Sequence, residues 1–181
     1  LVAFAALATA AHAGVVLTFD LFPLNTNQAM NQAYGDRVTA ISDPVGQYGT
    51  FGSGFTPNVV VDYGGQDSAP VLTRWTDAYG DLTNVLENDN DGEDRLTVTL
   101  TADPGYVVQL FGFDLGGWPN ADYTIPGVAV KSGPVDVFSE TSVLVRGATG
   151  TPRHTSFDWV TPLSAQSLQI YIDLSQLGGN S

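Results

Sequence analysis

Polar and apolar side chains alternate along Arg95-Leu96-Thr97-Val98-Thr99-Leu100-Thr101, a period of two that places successive side chains on opposite faces of a β-strand. The same period, or an apolar run of strand length, returns at residues 59–63, 106–113, 127–131, 142–146, 155–160 and 167–173. Turn-forming clusters separate these segments: Asp103-Pro104-Gly105, Gly116-Gly117-Trp118-Pro119-Asn120, Ser132-Gly133-Pro134 and Gly147-Ala148-Thr149-Gly150. Short strands at turn spacing predict an all-β fold, an antiparallel β-sandwich or barrel. Helical character is confined to a weak trace over residues 25–34, whose Asn and Gln content reads better as a polar loop. Strands do not alternate with helices, so a parallel α/β enzyme fold is not expected. Residues 36–54 are turn-rich yet keep Val38, Ile41, Val45 and Phe51, which predicts an ordered loop lying on the sandwich rather than a linker.

The first thirteen residues, LVAFAALATAAHA, break this pattern. They form an apolar stretch ending in Ala11-His12-Ala13, the small-residue close of a secretory signal peptide, and strand-like sequence begins at Gly14. The competing reading, a buried N-terminal helix, lacks a polar face; a transmembrane anchor needs about 20 apolar residues. We therefore expect residues 1–13 to be the remnant of an export signal and residues 14–181 to be one domain, large enough for a full hydrophobic core.

Charge and cysteine content narrow the partners. Six Lys and Arg stand against 19 Asp and Glu, a formal net charge of -13, so nucleic acid and anionic lipid surfaces are repelled. The chain contains no cysteine, which removes disulfides, thiol nucleophiles and thiolate metal sites together. Once His12 departs with the signal, His154 is the sole imidazole, and no Gly-x-Ser-x-Gly elbow accompanies it. A non-enzymatic protein is therefore expected, although a glycosidase, which requires only two spaced carboxylates, stays open as an alternative.

Two candidate sites remain. The acidic run Glu87-Asn88-Asp89-Asn90-Asp91-Gly92-Glu93-Asp94 resembles the first half of a calcium loop, with oxygen donors at alternate positions before a Gly. Position 12 counted from Glu87 is Val98, inside a predicted strand, so an EF-hand is excluded. What survives is a hairpin loop that offers Glu87, Asp89, Asp91 and Asp94 to calcium, or else a solvated acidic turn. The aromatic candidates suit sugar stacking: Trp118 in a Gly/Pro loop with Asn120, Asp122 and Tyr123 beside it, then Trp75 with Asp77 and Tyr79. Trp159 alternates as a strand residue and is expected in the core. The string Ala-Tyr-Gly-Asp occurs at residues 33–36 and 78–81 without matching flanks, so it predicts two turns whose Asp bonds nearby amides, not a duplication.

Several of these segments together resemble a known family. Val16-Leu17-Thr18-Phe19-Asp20, Ala33-Tyr34-Gly35-Asp36-Arg37-Val38, Thr56-Pro57-Asn58-Val59-Val60-Val61-Asp62-Tyr63-Gly64, Tyr79-Gly80-Asp81-Leu82-Thr83-Asn84-Val85-Leu86, Asp103-Pro104-Gly105-Tyr106 and Phe113-Asp114-Leu115 resemble bacterial PEP-CTERM sorting-domain proteins, over nearly all of the mature chain. The resemblance implies a jelly-roll sandwich of the carbohydrate-binding-module or galactose-binding-like kind, secreted or held at the bacterial surface, in contact with exopolysaccharide or matrix. It also implies an exosortase as processing partner through a C-terminal Val-Pro-Glu-Pro-like tail; the sequence given stops at Leu177-Gly178-Gly179-Asn180-Ser181, ahead of such a tail and of a further strand that relatives carry. Related jelly-roll modules hold calcium between their first and last strands, which makes Asp20 a further candidate ligand. A structural coat protein that assembles through open sheet edges is the remaining alternative.

Overall fold

The computed structural model describes residues 17, 19, 28–38, 56–65, 72–87 and 94–176, among which there are ten strands and no helix. The strands are β1 (Gln28–Ala29), β2 (Val59–Gly64), β3 (Thr73–Trp75), β4 (Val85–Glu87), β5 (Arg95–Ala102), β6 (Val108–Leu115), β7 (Tyr123–Ser132), β8 (Val135–Val145), β9 (Thr155–Ala165) and β10 (Ser167–Asp173). All pairings are antiparallel, in a five-stranded sheet ordered β2-β5-β10-β7-β8, a two-stranded sheet β6-β9 and a small sheet β1-β3-β4. Every strand expected within the described residues is present. The proposed signal peptide, the strand expected from Gly14 except for Leu17 and Phe19, and most of the 36–54 loop lie outside them.

Strand β10 shows how the period of two becomes a core. Leu168, Ile170 and Ile172 are buried while the residues between them are half-exposed. Antiparallel register then lines equal faces up: Ile170 pairs with Val98 on β5 and Val130 on β7, Val98 with Tyr63 on β2, and Val130 with Phe138 on β8. One apolar row thus crosses all five strands, and a one-residue slip of any of them would turn its core face to solvent. The second layer closes on this row through aromatic rings. Phe138 of β8 lies 5.8 Å from Phe157 and 5.1 Å from Trp159 of β9, and Phe113 of β6 stacks on Phe157 at 4.9 Å. Two antiparallel sheets packed through interdigitating inner faces make an antiparallel β-sandwich. Trp159 sits partly buried against that core, where its alternation placed it.

The two edges of the five-stranded sheet are treated differently. Residues 30–38 run beside β2 and satisfy its outer backbone groups: Gln32 donates to Tyr63 O (2.9 Å) and accepts from Tyr63 N (2.9 Å), Asp36 Oδ1 accepts from Val61 N (2.7 Å), and Arg37 N donates to Val59 O (2.7 Å). An unpaired edge invites pairing with other chains, and these side chains remove that opportunity at β2. Val38, fully buried, pairs with Thr56 and closes the start of the turn-rich loop onto the sandwich. At the opposite edge no described strand pairs with the outer side of β8, along whose first half Val135 and Val137 are exposed.

Strands β1, β3, β4 and the first half of β8 were not legible in the sequence. The first three are two or three residues long, too short to display a period, and of residues 135–141 only Phe138 is turned to the core, the rest being exposed, so no repeating burial pattern marks them. Residues 25–34 prove non-helical where described: Gln28–Ala29 is a strand and a turn follows.

Candidate functional site

Three loops gather at one end of the sandwich: residues 76–84 between β3 and β4, 116–122 between β6 and β7, and 146–154 between β8 and β9. Glycine lets them close on one another. A Cβ on Gly80 would overlap the carbonyl of Arg153, and a Cβ on Gly147 would overlap the carbonyls of Gly117 and Ala121. Main-chain bonds knit the junction, with Gly117 N donating to Arg146 O (2.9 Å) and Asn120 N to Ala78 O (2.7 Å).

Two aspartates lock the block. Asp122 Oδ1 accepts from the amides of Gly147 (2.8 Å), Ala148 (2.8 Å) and Thr149 (3.2 Å), and Oδ2 accepts from the Thr149 hydroxyl. These donors, first the Gly147 amide and then the Thr149 hydroxyl, hold the Asp122 carboxyl well below the usual carboxylate range. Asp81 Oδ2 accepts from Arg153 N (3.0 Å), and its Oδ1 lies 2.7 Å from His154 Nδ1. The imidazole and then the Arg153 amide lower the Asp81 carboxyl likewise. His154 Nε2 faces Asp114 Oδ1 at 3.7 Å, so the ring lies between two carboxylates, Asp81 and Asp114.

On this block stands an aromatic pair. Trp118 and Trp75 meet edge to face with ring centroids 6.2 Å apart and planes at 78°. Trp118 is 40% exposed, a high value for so large an apolar ring, while Trp75 is half-buried beneath it. The Tyr123 hydroxyl donates to Trp118 O, and Gly80 N donates to Asn120 Oδ1 (3.1 Å), so the loop that carries the indole is braced on both sides. Sequence spacing had grouped Trp118, Asn120, Asp122 and Tyr123 around one ligand and Trp75, Asp77 and Tyr79 around another. The fold instead merges the two tryptophans into one face and turns Asp122, Tyr123 and Asn120 to supporting it. Tyr79 is committed too, its hydroxyl donating to Glu87 Oε2 (2.9 Å), which leaves Asp77, exposed, as the polar neighbour in the group.

The same bond bears on calcium. Glu87 receives Tyr79 on one oxygen and Thr73 on the other (2.7 Å), which aligns its carboxylate along the small sheet. Asp94 precedes β5, and its carbonyl accepts from Leu174 N (2.8 Å). Asp20, Asp89 and Asp91 lie outside the described residues. Among the described residues no three His, Asp or Glu side chains are grouped to hold a metal ion, so the donors in view do not by themselves fit a calcium site.

The Ala-Tyr-Gly-Asp strings are turns, with Gly35 and Gly80 at φ of 86° and 71°; the Asp81 carboxylate accepts from its own amide, while the bonds that tie both aspartates into the fold run much further along the chain. Asp36 reaches Val61 N and Asp81 reaches Arg153 N, which are 25 and 72 residues away. No local signal in the sequence announces such partners. Compared with family models, curated proteins and solved structures, the chain matches none.

Proposed function

We propose that this chain is a non-enzymatic exported protein of the bacterial surface or matrix, a jelly-roll-type sandwich that holds polysaccharide on the Trp118–Trp75 face. The observation that carries the reading is Trp118: a large indole kept 40% exposed on a braced loop, edge to face with a second tryptophan. Exposing such a ring forgoes burial worth about 1.5–3 kcal/mol, and sugar C–H faces are a natural partner for it. Asp77, exposed two residues beyond Trp75, and the side-chain amide of Asn120, two residues beyond Trp118, are the polar candidates for sugar hydroxyls. Export and exosortase anchoring rest on the opening apolar stretch and on the family resemblance. No helix among the described residues is long and apolar enough to cross a membrane.

Retention of the protein on immobilised bacterial exopolysaccharide tests the reading. Trp118→Ala is expected to lower retention about tenfold, a change of roughly 1.4 kcal/mol, with the melting temperature nearly unchanged. Equal retention of native protein and variant, or none by either, refutes it. The calcium component is checked separately: a melting temperature identical in chelator and in millimolar calcium removes it.

A further inference from the structure

Basic side chains are scarce in this chain, and most are already engaged. Arg37 pairs with Asp103, Lys131 with Asp136 (2.7 Å), buried Arg74 donates to Asn84 (2.8 Å), and Arg153 donates to Gly80 O (3.2 Å). Arg146 differs. Its guanidinium makes no hydrogen bond or ion pair among the described residues, although the chain carries 19 Asp and Glu.

Its main chain, by contrast, is fixed. Arg146 N donates to Thr155 Oγ1 (3.1 Å), Thr155 Oγ1 donates to Leu144 O (2.7 Å), and Arg146 O accepts from Gly117 N. The side chain packs over Gly150 into an open cleft of about 340 Å3 between the end of β8 and the segment entering β9. Val143, Leu144 and Pro152 line it with apolar surface, Glu140, Thr155 and Ser156 contribute oxygens, and His154, held by Asp81, borders it as well. That volume lies at the small end of ligand sites, about the size for a single ring.

These features select a ligand chemistry. An unpaired guanidinium on a rigid base offers a planar fork suited to a carboxylate. Glu140 in the same cleft repels multiply charged anions and accepts hydrogen bonds from hydroxyls. We propose that the cleft binds a sugar acid, its carboxylate on Arg146 and its hydroxyls on Glu140 and the Thr155 or Ser156 oxygens. The site is separate from the Trp118 face and does not depend on polysaccharide binding there.

Calorimetric titration of the native chain with D-galacturonate, its methyl ester, D-galactose and acetate tests this. Galacturonate is expected to bind, and at least tenfold more tightly than the other three, because only it presents both carboxylate and hydroxyls. Arg146→Ala and Arg146→Met, the latter keeping the apolar stem, are each expected to lower galacturonate affinity at least tenfold while melting like the native protein. Trp118→Ala is expected to leave it unchanged, which separates this site from the polysaccharide reading. Four results overturn the proposal: no galacturonate binding, equal affinity for the methyl ester, equal affinity for acetate, or full affinity in a folded Arg146 variant.

Discussion

Gly147 is where the candidate site is most sharply testable, because its missing side chain is what lets the 116–122 and 146–154 loops touch. A Cβ there would overlap the carbonyl oxygens of Gly117 and Ala121 and stand 2.8 Å from Ala121 N, where ordinary van der Waals contact needs 3.4–4 Å. All three obstacles are backbone, the Gly117 oxygen only 2.1 Å away, so no rotamer change relieves them and the loops must separate by about 1 Å. Overpacking of this kind costs about 1–3 kcal/mol. Separation also strains the Gly117 N to Arg146 O bond, worth roughly 1 kcal/mol. Gly147→Ala is therefore expected to destabilise the domain by about 2–4 kcal/mol, lowering Tm by roughly 5–15 °C. Urea unfolding followed by tryptophan fluorescence reads both the loss and the local change at Trp118. The control is Gly133→Ala in the β7–β8 turn, where φ is 58° and nothing lies within 4 Å of the new Cβ, so only a left-handed-backbone cost of about 1 kcal/mol is expected. If Gly147→Ala proves no more costly than Gly133→Ala, the loops do not depend on that close approach and the account of the site fails.

Other outcomes follow from the core and the titrating groups. Leu168→Ala, fully buried at the centre of the five-stranded sheet, is expected to cost about 2–5 kcal/mol in urea unfolding, and a loss under 1 kcal/mol would contradict the assigned register. The Asp122 and Asp81 carboxyls are depressed in the fold, so their contribution is present above the usual carboxylate range near pH 4 and is lost as pH falls through the lower folded values. Asp122→Asn is accordingly expected to flatten the acid limb of a stability-against-pH curve, and an unchanged limb would contradict the hydrogen bonds to residues 147–149. Burial raises the Tyr63 hydroxyl above its ordinary value near 10, so folding favours the neutral phenol; the stability it contributes is complete below that pH and declines as pH rises beyond it. Tyr63→Phe, which removes the 2.9 Å bond to Tyr34 O, is expected to cost about 1 kcal/mol at neutral pH and to blunt the alkaline loss in thermal melts.

Legibility followed the range of the interaction. Leu168, Ile170 and Ile172 announce their buried face at once, because period-two patterning is a property of neighbouring residues and survives any arrangement of the strands. Turn chemistry at Gly35 and Gly80 is equally local. The short strands β3 and β4 had no such signature, and the split of the tryptophans into two candidate groups came from reading proximity along the chain as proximity in space.

The chain's own composition and periodicity determined that this protein is all-β, antiparallel, thiol-free and acidic, since each follows from residue type or from spacing over a few positions. Only the tertiary structure decided that β10 lies between β5 and β7, that Asp81 meets His154 across 73 residues, and that Trp75 and Trp118 share one face. Many strand orders bury the same alternating faces equally well; which loops become neighbours depends on the order adopted, and alternation carries no record of it.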